Sequence, residues 1–199
     1  HHPTHHPRNL HIFILFIIIF IFFFIVLNKY NNNYHNINNN LIFVLFTPLI
    51  SFGQEITTYY LIRHAEKDLT DLKNKDPHLI EAGRHRSKSW VSIFKNVQFD
   101  KVYSTNFHRT IETAMPIALE RGISIDKYEP DELYNDEFKK RNYGKIILVV
   151  GHSNTTPFLA NKILGKEYYS EIDESIHGNL YIIQVMSGNN VTSQLLSLE

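Results

Sequence analysis

The stretch KIILVVGHS (residues 145–153) decides the fold of this chain, because it combines a buried strand with polar residues directly after it. Residues 146–150 are all Ile, Leu or Val, a pattern typical of a strand that is buried on both faces of a sheet. Gly151 ends the apolar run. We predict a strand over Lys145–Val150 and a helix over Thr156–Leu164, which together form one unit of an α/β sheet.

Strand and helix patterns alternate on both sides of this stretch. Further strands are predicted at Thr57–Ile62, Lys101–Ser104 and Ser124–Tyr128, and a terminal hairpin at Leu180–Met186 and Val191–Leu198. Helices are predicted at Glu81–Phe94, Phe107–Arg121 and Asp131–Arg141. The predicted fold class is therefore α/β, a three-layer α/β/α sandwich around a mostly parallel sheet. A ligand site is expected at the carboxyl ends of the strands.

Composition separates an N-terminal segment from one domain of ordinary size. The chain has 199 residues, and all 20 Asp and Glu residues follow Gly53. We therefore predict an N-terminal segment over residues 1–53 and a globular domain over residues 54–199. A formal net charge of zero argues against a nucleic-acid partner, which usually requires a basic face. The lack of cysteine excludes disulfides, thiolate chemistry and cysteine-ligated zinc.

The N-terminal segment resembles an export signal or a membrane anchor. Leu10–Leu27 is almost entirely apolar and approaches the roughly 20 residues that span a bilayer. An Asn-rich stretch, Asn28–Asn40, separates it from Leu41–Gly53, which resembles a signal peptide cleaved before Gln54. We expect a protein that is exported, to the periplasm or the medium, or anchored in a membrane. The other interpretation is that residues 1–40 are translated upstream sequence or a fragment.

Polar side chains follow three of the predicted strands. Arg63 and His64 come directly after the first strand, Arg109 lies five residues beyond Ser104, and His152 follows Gly151. The carboxyl ends of parallel strands meet at one edge of a sheet, so these side chains should lie close together. Arginine presents a rigid fork of donors that matches phosphate oxygens. Two arginines and two histidines at this edge predict a pocket for a phosphate dianion.

Four motifs, in order, resemble those of the histidine phosphatase superfamily, also called phosphoglycerate mutase-like. LIRHAEK (residues 61–67) resembles its Arg-His-Gly signature, with Ala in the third position. DPHLIEAG (76–83) is similar to the weaker Leu-Thr-x-x-Gly block, YSTNFHRTIETA (103–114) to the second arginine block, and VVGHS (149–153) to the third block. The resemblance covers Thr57 to about Gly165, most of the domain.

The resemblance implies a catalytic set. It assigns the nucleophile to His64, and phosphate binding and charge stabilisation to Arg63, Arg109 and His152, with no metal and no cofactor. The implied mechanism passes through a phosphohistidine that water then hydrolyses. The implied substrate is a phosphorylated small molecule or a phosphoprotein.

Further contacts to phosphate are predicted at two positions. Thr70 stands six residues after His64, where related proteins often place a phosphate-contacting Asn. Ser153 follows the second histidine and could donate one more hydrogen bond. For Thr70 a helix cap or a turn cap is an equally good interpretation.

The proton donor for the leaving group is less clearly marked. Many related proteins carry a Glu some two dozen residues after the second arginine, and this region here contains Asp131 and Glu132. The Gly-x-Trp-Glu-Gly context of the family is absent. Acidic residues also favour the first turn of a helix without any catalytic role. A third option is that no dedicated acid exists, which suits a good leaving group such as phosphohistidine.

Other functions are less consistent with the sequence. Only 42 residues separate Arg109 from His152, whereas mutases of this family carry a long insertion there. A non-catalytic phosphate-binding domain would not need His64. A metallohydrolase would show a ligand motif such as HExxH, which is absent. The opening HHPTHH (residues 1–6) suggests metal binding only weakly, because no structured ligands stand beside it.

Overall fold

A computed structural model of the chain describes residues 18–23, 26 and 55–198. The chain divides into two compact units, His1–Phe52 and Gly53–Glu199. Among the described residues, no helix has the length and apolar character needed to cross a membrane. Most of the predicted apolar span and all of the predicted signal peptide, with its cleavage position before Gln54, lie outside the described residues.

The second unit, Gly53–Glu199, contains one mixed sheet of six strands. Its elements are β1 (Thr57–Arg63), α1 (Glu81–Ile93), β2 (Lys101–Ser104), α2 (His108–Arg121), β3 (Ile125–Lys127), α3 (Asp136–Arg141), β4 (Ile146–Gly151), α4 (Thr155–Leu164), β5 (Asn179–Met186) and β6 (Asn190–Ser197). The strand order is β3-β2-β4-β1-β5-β6. Strands β3, β2, β4 and β1 pair in parallel, while β5 is antiparallel to both β1 and β6. This arrangement confirms the predicted α/β fold class.

Alternation of side chains along the central strands creates two apolar cores. In β4, Ile147 and Val149 join the core that also contains Phe138 of α3 and Leu159 of α4. The intervening Leu148 and Val150 join the core on the other face, which α1 and α2 cover. Burial of each such side chain stabilises the folded state by roughly 1.5–3 kcal/mol. Strands apolar on both faces therefore require helices on both faces, which makes the three layers.

One predicted helix is shorter than expected. The predicted range Asp131–Arg141 forms a helix only over Asp136–Arg141, after a turn. Tyr134 has φ 68°, in the left-handed region, which cannot continue a right-handed helix. Asn135 then caps the helix, and its side chain accepts a hydrogen bond from the Phe138 N–H at 2.8 Å. The prediction for Asp131 as a helical residue is therefore wrong.

The strand register places the polar residues that follow β1, β2 and β4 at one edge. Arg63 of β1 pairs with Gly151 of β4, and Ser104 of β2 pairs with Val150 of β4. Because these strands are parallel, the chain leaves each of them on the same side of the sheet. His64 and His152 are consequently neighbours there, although 87 residues lie between them in the sequence.

Candidate active site

His64 is buried, with only 2% of its surface exposed, and its ring has a defined tautomer. Nδ1 lies 2.7 Å from the carbonyl oxygen of Ala65, which can only accept, so Nδ1 carries the proton. Nε2 is therefore the nitrogen with a free lone pair. Burial, and secondarily the nearby cations of Arg63 and Arg109, lowers the pKa of His64 to about 2. The ring is neutral in the free protein at physiological pH.

Several hydrogen bonds hold the backbone at His64 in place. Its N–H donates to the carbonyl oxygen of Gly151 at 2.9 Å, and its own carbonyl accepts from Nδ1 of His177 at 3.0 Å. The N–H of Ala65 donates to Oγ1 of Thr113 in α2 at 2.9 Å. The ring orientation is thus set by contacts from β4, from α2 and from the segment before β5.

The weaker block at residues 76–83 has a packing role beside this histidine. A Cβ atom at Gly83 would lie 2.2 Å from the carbonyl oxygen of Glu66, which is closer than any side chain tolerates. The N–H of Ile80 also donates to that oxygen at 3.0 Å. Glycine therefore allows the first turn of α1 to rest directly on the backbone just after His64.

His152 stands opposite His64, with 5.5 Å between the ring centroids. Its Nε2 lies 3.0 Å from Oγ1 of Thr105, and that hydroxyl donates to Oγ1 of Thr110 at 2.9 Å. The Thr105 oxygen therefore accepts from Nε2–H, and Nδ1 is the nitrogen that carries no proton in the neutral ring. Burial, followed by the charge of Arg109, lowers the pKa of His152 to about 4. A bound dianion would raise the pKa of His152 again and favour the imidazolium.

Arg109 lies in the first turn of α2 and is mostly buried, with 12% of its side chain exposed. Its guanidinium stacks over the ring of Phe107, 4.4 Å from the centroid. Nη1 is 3.4 Å from the carbonyl oxygen of Lys75 and 3.7 Å from Oδ1 of Asp76. Nε is buried and has no hydrogen-bond partner among the described residues.

Arg63 is more tightly enclosed, with 1% of its side chain exposed. Its Nη1 contacts three backbone carbonyl oxygens, those of Asp173, Glu174 and Ile176, at 2.9–3.1 Å. Nη2 donates to Oε2 of Glu174 at 2.5 Å. Its Nε, like that of Arg109, is buried without a partner in the described part of the chain.

Glu174 was not predicted as a site residue, yet it connects several of those that were. Its Oε1 accepts from the hydroxyl of Ser153 at 2.6 Å, and its Oε2 lies 4.0 Å from Nζ of Lys67. The Ser153 hydrogen bond, followed by the charges of Arg63 and Lys67, lowers the pKa of this carboxyl. The sequence offers no signal for it, because several acidic residues lie close together before β5.

These side chains surround a cavity of about 420 Å³. The lining residues are His64, Lys67, Phe107, Arg109, Pro130, His152, Ser153, Asn154, Thr155, Glu171 and Glu174. Four of the predicted site residues are thus brought together here, and Arg63 contacts the lining through Glu174.

Besides Arg63, three predicted site residues do not line this cavity. Thr70 lies on an exposed turn, where its N–H donates to Oδ1 of Asp68 at 2.8 Å, which favours the turn interpretation. Asp131 and Glu132 are exposed in the turn that replaces the predicted helix start. The turn directs Pro130 to the cavity instead. The carboxylates that do line the cavity are Glu171 and Glu174.

Comparisons with known proteins agree with this fold and its motifs. The model of the histidine phosphatase superfamily (branch 1) matches residues 59–131, which include Arg63, His64 and Arg109. No curated protein matches the sequence. The matched range contains three of the four motifs, and it supports the predicted resemblance to the histidine phosphatase superfamily.

Solved structures are similar in fold at low sequence identity. YhfR from Bacillus stearothermophilus has a TM-score of 0.57 and 16% identity, over 71% of this chain and 98% of that one. An alpha-ribazole phosphatase from Shigella flexneri has a TM-score of 0.56 and 15% identity, over 71% and 96%. The protein histidine phosphatase SixA in complex with tungstate has a TM-score of 0.55 and 14% identity, over 70% and 96%.

Proposed function

We propose that the second unit is a phosphatase that hydrolyses a phosphomonoester or a phosphohistidine through a covalent phosphohistidine on His64. The observation that carries the proposal is the state of His64. Its ring is neutral, its Nδ1–H is held by the Ala65 carbonyl, and the ring lines a cavity together with His152 and Arg109. A neutral imidazole held by one nitrogen is a competent nucleophile at the other.

In the first step Nε2 of His64 attacks phosphorus in line with the leaving group. The N–P bond forms, the bond to the leaving group breaks, and the leaving group takes up a proton. The ring gains positive charge because Nδ1 keeps its proton, and the carbonyl oxygen of Ala65 stabilises that charge. Water then attacks phosphorus, the N–P bond breaks, and phosphate leaves with His64 neutral again.

Charge on the equatorial phosphoryl oxygens requires fixed donors. Arg63 and Arg109 each keep a buried Nε–H without a partner among the described residues. A buried donor of this kind costs about 1–3 kcal/mol when it stays unpaired. A phosphoryl group bound in the cavity would satisfy the donor of Arg109, and that of Arg63 once Glu174 moves aside. His152 supplies a third one, in the imidazolium form that a dianion favours.

The proposal covers two substrate classes, and their leaving groups differ in whether they need a dedicated proton donor. A phosphohistidine needs no dedicated acid, since its departing nitrogen is readily protonated. An alkyl phosphate needs a proton donor, for which Asp131 and Glu132 stay predictions. Among the structural neighbours, SixA is named a protein histidine phosphatase and the Shigella protein an alpha-ribazole phosphatase, so both classes occur on this fold.

Hydrolysis is favoured over return of the phosphoryl group to the substrate. Most of the 42 residues between Arg109 and His152 lie in α2, β3, the short helix α3 and β4. Little chain is left there to build a cover over the cavity, and water can then compete for the phosphohistidine.

A screen of the full chain tests the proposal. Phosphate release is measured from an aryl phosphate, a panel of small phosphomonoesters and a phosphohistidine protein, with and without excess EDTA. We expect release from at least one of them, equal with and without EDTA, and none from the matched His64→Ala variant. No release from any substrate, or a loss in EDTA that a divalent ion restores, would contradict it.

A further inference from the structure

Two histidines and a glutamate converge on the surface near the start of α2, outside the lining of the cavity. His78, His108 and Glu112 each offer one ligand atom, and these atoms lie within 4.8 Å of one another. His108 and Glu112 are one helical turn apart and so share a face of α2. His78 comes from the segment before α1, and its ring stacks on that of His108 with 4.1 Å between centroids.

The glutamate of this cluster is oriented by the backbone. The N–H of Leu79 donates to Oε2 of Glu112 at 2.8 Å, while Oε1 pairs with Nδ1 of His78. One carboxylate oxygen is thereby fixed, and the other faces the imidazole. Such outer hydrogen bonds are what orient the ligands in established metal sites.

Asp76 provides a second outer partner. Its Oδ1 accepts from the backbone N–H of His108 at 2.7 Å, and its Oδ2 lies 3.7 Å from Nε2 of the same residue. The His108 side of the cluster is therefore also supported by a carboxylate. Ligands come from two separate segments, and each segment is tied to the other by hydrogen bonds.

We propose that His78, His108 and Glu112 bind a divalent first-row transition metal such as Zn²⁺. Two imidazoles and one carboxylate suit such a metal, and three protein ligands leave a coordination position for water. Mg²⁺ and Ca²⁺ prefer sets made only of oxygen ligands. On binding, the metal replaces the hydrogen bond between His78 and Glu112, and the displaced ring proton moves through solvent to the other nitrogen of the neutral imidazole.

The metal would tie the segment before α1 to the start of α2. Arg109 follows His108 directly in the sequence. Asp76 contacts both residues, and its Oδ1 lies 3.7 Å from Nη1 of Arg109. Metal binding would therefore hold the segment that contacts this arginine. The metal takes no part in the chemistry at His64, and its binding is independent of the proposed phosphatase activity.

Titration of the full chain with Zn²⁺ by calorimetry tests the site. The histidines of HHPTHH (residues 1–6) add the same background to every variant, so the difference in stoichiometry is the measurement. We expect His78→Ala and Glu112→Gln each to bind one equivalent less than the parent. Gln keeps an acceptor for the Leu79 N–H, so this variant should fold as the parent does.

The matched control is His85→Ala. His85 pairs with Glu81 on one face of α1, at 3.2 Å and with the same spacing of four residues as His108 and Glu112, but without a third ligand in the described part of the chain. Its replacement should leave the stoichiometry unchanged. Asp76→Asn should weaken binding about 10–100-fold, as loss of an outer partner typically does.

Thermal unfolding gives a second measurement that does not depend on activity. Zn²⁺ should raise the unfolding midpoint of the parent and of His85→Ala more than that of His78→Ala or Glu112→Gln. Midpoints measured in EDTA show that the variants are folded. Equal stoichiometry and equal midpoint shifts in all four proteins would overturn the proposal, as would an equal loss in His85→Ala.

Discussion

Oε2 of Glu174 lies 2.5 Å from Nη2 of Arg63, and Oε1 of the same carboxylate accepts a hydrogen bond from Ser153. The family resemblance predicts that Arg63 binds phosphate, and Ser153 is predicted to donate a further hydrogen bond. In the free protein, therefore, a carboxylate occupies donors that a phosphate group would use. Glu174 is also 67% exposed, so a substrate dianion can displace it into solvent.

Replacing Glu174 should consequently strengthen phosphate binding. The Glu174→Gln variant removes a negative charge beside Arg63 and lowers the cost of seating a dianion. Partly exposed ion pairs contribute about 0.2–1 kcal/mol, so the dissociation constant of inorganic phosphate should fall by up to about fivefold. Calorimetry with phosphate measures this directly.

Glu171→Gln is the control for this measurement. Glu171 also lines the cavity but makes no ion pair with Arg63 among the described residues. Its replacement should change phosphate affinity less than Glu174→Gln does. Weaker phosphate binding in Glu174→Gln would show that the carboxylate holds Arg63 in its binding position.

The two histidines should differ in their effects on the chemistry. His64→Ala should abolish turnover and also the acid-labile, base-stable phosphoenzyme, because Nε2 of His64 is the atom that we propose forms the N–P bond. His152→Ala should retain a phosphoenzyme but slow its formation by about 10²–10³, the typical effect of losing one charge-stabilising donor. Rapid quench with a ³²P-labelled substrate separates the two cases.

The opposite pattern would reverse this assignment. A phosphoenzyme in His64→Ala but none in His152→Ala would make His152 the nucleophile. Activity without a phosphoenzyme in any of the proteins would argue for direct attack by water.

Lysine should not preserve the function of either arginine. Arg63 uses Nη1 for three carbonyl oxygens and Nη2 for Glu174, a set of contacts that one ammonium group cannot reproduce. Arg109 stacks its planar group on Phe107. We expect Arg63→Lys and Arg109→Lys to lose both phosphate affinity and turnover, as shown by KM and kcat on an aryl phosphate. Turnover near that of the parent would show that charge alone is sufficient.

Burial of His64 should make the fold sensitive to acid. Its pKa is lowered from 6.5 to about 2 in the folded protein, mainly by burial. Between these values the unfolded chain binds a proton that the folded chain does not. The contribution to stability is therefore fully present above pH 6.5 and is lost progressively as the pH falls towards 2.

Urea unfolding of the parent and of His64→Ala at several pH values from 7 to 4 checks this effect. The pH dependence of the free energy of unfolding should be smaller in the variant, by up to about 1.4 kcal/mol per pH unit. The slope is the readout, because removing the ring also changes absolute stability. Equal slopes in the two proteins would contradict the prediction.

Processing of the N-terminus is a prediction from sequence alone. Small residues at Ser51 and Gly53 follow the apolar run that begins at Leu41. We expect a mature N-terminus at Gln54 when the protein is made in its natural host, as measured by mass spectrometry. An intact Asn-rich segment, Asn28–Asn40, would instead support an anchor at Leu10–Leu27.

The order of strands and helices and the positions of the four motifs could be predicted from the sequence. Apolar runs such as residues 146–150 specify buried strands locally, and polar residues directly after parallel strands must share one edge of the sheet. His64 and His152 could be placed together on this basis. Where a turn competes with a helix, as at Tyr134, the local pattern was not sufficient.

Only the tertiary structure decided which other groups surround the two histidines. Glu174 lies 111 positions after Arg63 in the chain, and Thr113 lies 48 positions after Ala65. No sequence pattern links such pairs, because their contact depends on how the segment before β5 and the helix α2 pack on the sheet. The periodicity of a strand is a local property, whereas the partner of a buried guanidinium is determined by the whole fold.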